Sequence, residues 1–183
     1  MQHSNPDAQQ RHKIDELLKA PFPVTLATIA GALETTELEA ARLLPEDVAA
    51  FVTGDISVRF DEIWAELSGW EKVTLFIVHD GHVFEIEGKL HVGKRAQGYY
   101  NILAKDAAIG GHLRYDNIRA CAFTSFPFMG RESHAVQFFN AQGAVSFAVY
   151  VGRENRQLIE SVRAAFMRAR KTFCTEADDG VNR

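Results

Sequence analysis

Two periods divide the chain. Up to about residue 68 the apolar positions recur at helical spacing; after Gly69 they alternate with polar ones. IDELLKA is a short amphipathic segment closed by Pro21 and Pro23. TLATIAGALETTELEAARLLP keeps helical spacing on both sides of Gly31 and the Thr35–Thr36 pair, and either threonine is placed to cap ELEAARLL. RFDEIWAELSGW predicts a further helix ending at Gly69. Residues 1–12 are polar and expected to fray.

Past Gly69, strands are predicted for VTLFIVH, HVFEIEGKL, QGYYNILA, GGHLRYDN, IRACAFTSF, HAVQFFNAQG and AVSFAVYVG, separated by turn residues at short intervals. Such a succession implies a largely antiparallel sheet. NRQLIESVRAAFMRARKTF predicts a C-terminal amphipathic helix whose stripe of Leu158, Val162, Ala165, Phe166 and Ala169 covers one sheet face. The acidic tail from Thr175 is expected to be disordered. The expected fold class is α+β: a large antiparallel β-sheet flanked by helices, in a single domain over 1–183. Its parts are a helical N-terminal segment (1–68), the sheet (69–152) and a C-terminal helix (153–174).

One stretch, VTLFIVHDGHVFEIEG, defines its own pairing. A two-residue Asp-Gly loop is a strong hairpin signal because both turn positions need φ > 0. The residues flanking the turn, His79 and His82, then face each other on one side of the ribbon. Behind them come Ile77 opposite Phe84 and Leu75 opposite Ile86, so an imidazole pair closes an apolar face at its open end. The opposite face carries Thr74, Phe76 and Val78 against Val83, Glu85 and Glu87; the two glutamates are read as a solvated sheet face.

Composition narrows the chemistry. The chain has 183 residues and a formal charge of −4, which disfavours a nucleic-acid partner. The segment before residue 68 has the outline of a helix-turn-helix. Its would-be second helix, however, carries Glu37, Glu39 and only Arg42, so a helical hairpin packing on the domain is the simpler reading. Two distant cysteines, Cys121 and Cys174, make neither a disulfide framework nor a zinc set, and the expected setting is reducing and cytoplasmic. No apolar run suggests a membrane span. Thirteen phenylalanines suit a large core or an apolar ligand pocket.

Histidine is the candidate ligand. A hairpin pair without cysteines nearby falls short of a structural zinc set, whereas an iron porphyrin takes one or two imidazoles and an apolar wall. Solvated hairpin-tip residues are the alternative. His112, in IGGHLRYDNI, follows two glycines, where a flat ligand or another backbone can approach closely; as a strand residue it would share a face with Arg114 and Asp116. His91 and His134 have weaker claims. No P-loop, nucleophile elbow or dinucleotide fingerprint occurs.

Six stretches together carry a resemblance: WEKVT, IVHDGHVFEIEG, GYYNI, GGHLRYDNI, FMGRESHAVQFFNAQG and VYVGRENRQLI. From about Trp64 to Phe166 the chain resembles the haem-utilisation carrier family of the ChuX/HutX type. The resemblance implies a cytosolic protein that binds imported haem and passes it on. It also implies a homodimer whose two sheets form a continuous saddle, and a haem-uptake or haem-degrading protein as partner. Of the family's two haem-associated histidines, one carries over to His112. The other falls on Val78, one residue before His79, so His79 or His82 is left to serve. Apolar walls are expected from Phe126, Phe128, Met129 or the Phe84 face, and propionate partners from Arg95, Arg114 and Arg131. Tyr99 or Tyr100 would hydrogen-bond propionate or supply a phenolate. The leading function is a non-enzymatic haem carrier; the alternatives are a haem-degrading enzyme and a transcriptional regulator.

Overall fold

The computed structural model of the chain describes residues 3–79 and 81–175. Its helices are α1 (Ala8–Leu18), α2 (Leu26–Leu33), α3 (Glu37–Leu43), α4 (Ile56–Ser68) and α5 (Glu160–Cys174). Its strands are β1 (Ala49–Phe51), β2 (Val73–His79), β3 (His82–Gly88), β4 (Lys94–Ala96), β5 (Tyr99–Ile102), β6 (Gly111–Leu113), β7 (Ile118–Ser125), β8 (His134–Asn140), β9 (Val145–Val151), β10 (Arg153–Glu154) and β11 (Gln157–Leu158).

The main sheet is antiparallel, in the order β1-β7-β8-β9-β2-β3, and β4-β5-β6 form a second, three-stranded sheet. Period-2 alternation sorts the side chains of the main sheet into two cores. Cys121, Phe123, Val136, Phe138, Phe147 and Val149 face α4, α5 and the small sheet. Ala120, Ala122 and Ala49 point the other way, against α1–α3. Small side chains on that second face let the short helices sit close to the strands. The expected α+β architecture is what is observed.

The N-terminal end is more ordered than its polarity suggests. Asp7 accepts from the Gln10 backbone N–H and the Gln10 side chain reaches back to the Asp7 N–H, so a capping box starts α1 at Ala8. Thr36 caps α3 as predicted. The helix-turn-helix outline resolves into a packed hairpin: a Glu37 carboxylate oxygen accepts from the Val145 N–H at 2.7 Å, and the Leu38 N–H donates to the Gly143 carbonyl at 2.9 Å. The front of α3 is thus spent on the β8–β9 turn. Strand β1, within the segment read as helical, is an unpredicted edge strand buried at all three positions. The C-terminal helix starts later than the pattern implies. Asn155 and Arg156 take positive φ (49° and 67°) and turn the chain into the β10–β11 hairpin before α5 begins. Of the predicted stripe, Val162, Ala165, Phe166 and Ala169 are buried on α5, while Leu158 belongs to β11. Most of the tail expected to be disordered lies outside the described residues.

Candidate functional site

The β2–β3 hairpin has the predicted register: His79 opposite His82, Ile77 opposite Phe84, Leu75 opposite Ile86 and Val73 opposite Gly88. Strand β2 pairs with β9 only from Val73 to Phe76, so its last three residues extend beyond the sheet with β3 as their neighbour. The apolar face runs from Val73, in the main core, through Leu75, Ile77 and Ile86, which pack against that core, to two exposed histidines. Val78, Val83 and Phe84 are each about half exposed.

His112 lies on β6, directly opposite Asn101 of β5. The Asn101 amide nitrogen donates to the carbonyls of Lys94, Ala96 and Tyr99 at 3.2, 3.1 and 3.1 Å. That leaves the amide oxygen facing His112 Nδ1 at 2.6 Å. An amide oxygen only accepts, so Nδ1 carries a proton, and in the neutral ring the lone pair is then on Nε2. Nε2 has no hydrogen-bond partner among the described residues. Metal-ligating histidines have their second nitrogen held in this way, so the arrangement can serve a ligand role.

The surroundings fit that role. Gly111, next to His112, has φ +151° and open space where a Cβ would stand, so the close approach read from the glycine pair is available. Tyr99 meets the imidazole edge-on, with ring centroids 6.1 Å apart. The Arg114 guanidinium lies over the Tyr99 ring at 5.5 Å and forms a forked pair with Asp116 at 3.0 and 3.1 Å. Its hydrogen bonds hold the Asp116 carboxyl below the ordinary range. The strand predicted through Asp116 stops at Leu113; residues Tyr115–Asn117 form a 3-10 turn, which brings Arg114 and Asp116 together.

Several expected site residues make other contacts. Tyr100 is buried; its hydroxyl accepts from the Gly93 N–H at 2.8 Å and its ring packs edge-on against Phe60 and Trp64. A Cβ on Gly93 would stand 2.5 Å from that ring, so only glycine fits there. Arg95 pairs with Asp61 at 2.7 Å, donates to the Ser57 carbonyl and stacks on Tyr115 at 4.0 Å, which fastens the small sheet to α4. Phe126 is buried in the α1–α3 core. Phe128 belongs to the other face of the hairpin, where with Thr74, Phe76, Glu85, Glu87 and Tyr150 it lines a cavity of about 240 Å³. Met129 sits in the same turn, exposed and at φ +53°. The glutamates read as a solvated face therefore border a pocket.

The loop leading into β6 meets the base of the hairpin, where a Cβ on Gly88 would touch the Ile109 and Ala108 side chains at 3.4 and 3.5 Å. The hairpin histidines stand at the far end of β3, six residues or about 20 Å along the strand. His112 and the His79–His82 pair therefore occupy different ends of the hairpin.

Sequence reasoning missed a polar chain through His134. This histidine is buried, with Nδ1 2.8 Å from Ser125 Oγ and Nε2 2.7 Å from a Glu132 carboxylate oxygen. Glu132 also accepts from Arg163 at 2.7 Å, and the imidazole stacks on Phe166 at 4.8 Å. Burial pushes the His134 pKa down, while hydrogen bonds from Arg163 and His134 pull that of Glu132 down. The chain straps β7, β8 and α5 together. No cluster of three or more histidine, cysteine or carboxylate side chains able to hold a bare metal ion occurs among the described residues. No helix there is long and apolar enough to cross a membrane.

An antiparallel sheet with helices on one face, and helices plus a small histidine-bearing sheet on the other, defines an α+β class of domain. Residues 53–169 match the family described as Haem utilisation ChuX/HutX, and the chain belongs to that family. It is 38% identical over 157 residues to the intracellular heme transport protein HutX of Vibrio cholerae serotype O1, covering 85% of this chain and 80% of that protein. Among solved structures it is similar to a protein from Erwinia carotovora (31% identity, TM-score 0.78, 87% of this chain and 98% of that one). It is also similar to the heme binding protein ChuX (28%, TM-score 0.75, 87% and 97%). The heme degrading enzyme ChuS of Escherichia coli O157:H7 shares the fold at 17% identity, with 94% of this chain spanning 50% of that one.

Proposed function

We propose that this protein is an intracellular haem carrier that receives imported haem, holds it through His112 and passes it to a recipient protein. The observation that carries the reading is the hydrogen bond from His112 Nδ1 to Asn101, which leaves Nε2 open on an exposed strand. Family membership, the heme transport role in the name of the Vibrio relative and the heme binding role in that of ChuX supply the ligand class. Haem is cargo here. This chain's part is to present a neutral imidazole to the iron and to offer Tyr99 and Arg114 as propionate partners. Apolar surface at Phe84, Val78 and Val83 lies at the hairpin end that carries His79 and His82. A second imidazole, from His79 or His82, would come from a second copy, because within one chain that pair stands at the other end of the hairpin from His112.

Titration of ferric haem into the apo-protein tests the reading. A Soret shift that saturates near one haem per chain is expected, and a flat titration matching a non-binding control overturns it. Holding haem-loaded protein with reductant and oxygen separates carriage from degradation: a carrier keeps its Soret band, whereas a degrading enzyme loses it to a linear tetrapyrrole. A homodimer is part of the proposal. β3 is an edge strand of the main sheet with exposed Val83 and Phe84, and such edges are covered or paired. Light scattering at micromolar concentration is expected to give about twice the chain mass of 20.4 kDa; the monomer mass would remove this part.

A further inference from the structure

An open cleft of about 660 Å³ lies between the Phe128–Arg131 turn, the β10–β11 hairpin and the start of α5. Four arginines line it: Arg131, Arg153, Arg156 and Arg163. Two carboxylates line it as well, and both are engaged. Glu132 accepts from His134 and Arg163, and Glu160 lies 3.6 Å from Arg163. Arg131, Arg153 and Arg156 have no carboxylate partner among the described residues. The lining carries four positive and two negative charges, a surplus of about two.

Three details make this more than a basic patch. Arg153 is half buried and pinned, its guanidinium donating to the backbone carbonyls of Glu132 and, at 3.2 Å, Arg156. Burial first, and the Arg131 charge second, loosen its hold on its proton. Arg156 occupies a left-handed turn position, φ +67°, that favours glycine, so the fold carries a conformational cost where this guanidinium meets the cleft. Helix α5 opens onto the cleft with Ile159 at its N-cap, so no side chain caps its first turn and that end keeps its partial positive charge.

We propose that this arginine cleft is a binding site for a dianionic oxyanion, with phosphate as its simplest member, separate from the His112 site. Forked guanidiniums match phosphate oxygens two at a time, and a dianion balances the surplus charge. The volume far exceeds one phosphate ion, so the cleft accommodates a phosphate monoester as well as the free ion.

The test is calorimetric titration of inorganic phosphate into the full apo-protein, with chloride adjusted to hold ionic strength constant. One phosphate per chain is expected. The double variant Arg131→Gln, Arg156→Gln should weaken it about tenfold or more. Both side chains are exposed and make no side-chain hydrogen bond among the described residues, so the variant keeps the fold. Arg119→Gln, at an exposed position of β7 outside the cleft, should leave phosphate binding unchanged. Absence of saturable heat, or equal affinity in the double variant, overturns the proposal. A second arm repeats the titration on haem-loaded protein. Unchanged affinity supports a separate site. Loss of phosphate binding on haem loading would mean that haem carboxylates occupy the cleft, and a separate site would then be wrong.

Discussion

His134 and His112 are both strand histidines with a short hydrogen bond to Nδ1, and they do opposite things. His134 is buried, and both its ring nitrogens are taken, by Ser125 and Glu132. His112 is exposed; Asn101 takes one nitrogen and leaves the other open. What separates a strap from a candidate ligand is therefore the vacancy on the second nitrogen. Neither burial nor the presence of a partner makes that distinction by itself.

Breaking this contrast should give effects of falling size. His112→Ala removes the open nitrogen, and haem affinity should drop by more than about 100-fold, beyond the 10–100-fold cost of losing a supporting group around a metal ligand. Soret titration measures it; wild-type affinity in that variant would rule out His112. His134→Leu should cost about 2 kcal/mol in urea unfolding, because it unpairs a buried network, while leaving the Soret position unchanged. Asn101→Ala frees the His112 tautomer and should weaken haem binding about tenfold. Asn101→Asp keeps an acceptor for Nδ1 and should stay near wild type, so equal losses in the two would remove the orienting role.

Acid sharpens the same contrast. The folded-state pKa of His134 lies below its unfolded value of about 6.5, so the unfolded chain binds more protons there. The stability His134 contributes is complete above that value and is lost as pH falls below it. Glu132, also depressed, gives up its share only at lower pH, below the ordinary carboxylate range. Urea midpoints should therefore fall between pH 7.5 and pH 5.5 in the wild type and fall less in His134→Leu; parallel curves would contradict the assignment. The smallest effect belongs to His91, which among the described residues is used through its backbone carbonyl, by Trp64 Nε1 at 2.9 Å. His91→Ala should change stability and haem affinity by less than about 0.5 kcal/mol.

What could be read from the chain depended on how local its cause was. The β2–β3 register follows from one Asp-Gly turn, and every predicted pair is found. Strand β1 was illegible because three residues, Ala-Ala-Phe, buried on all sides, carry no alternation. The Arg156 turn was illegible because arginine gives no sign of a positive φ. His112 stood out as a histidine behind two glycines. Asn101 did not, since its part depends on β5 lying beside β6 in one register. The face that Phe128 and Met129 join was illegible for a related reason: which face of a sheet a loop folds onto is set by tertiary packing. The His134 chain joins residues from two strands and a helix, and no short stretch contains it.

The small sheet also has a dynamic consequence. Three strands of three or four residues are too short to persist alone. They hang on α4 through the Trp64–His91 bond, the Arg95–Asp61 pair and the stack of Tyr100 on Phe60 and Trp64. The main sheet packs on α4 as well, Phe138 on Phe60 and Phe147 on Trp64, but its longer strands pair with one another and are held besides by α5 and by α1–α3. Fraying of α4 would therefore release β4–β6, and His112 with them, before β7, β8 and β9 open. In amide exchange this part of the chain would form its own opening unit, less protected than the six-stranded sheet. The imidazole would then have a route away from its cargo that leaves the rest of the protein folded.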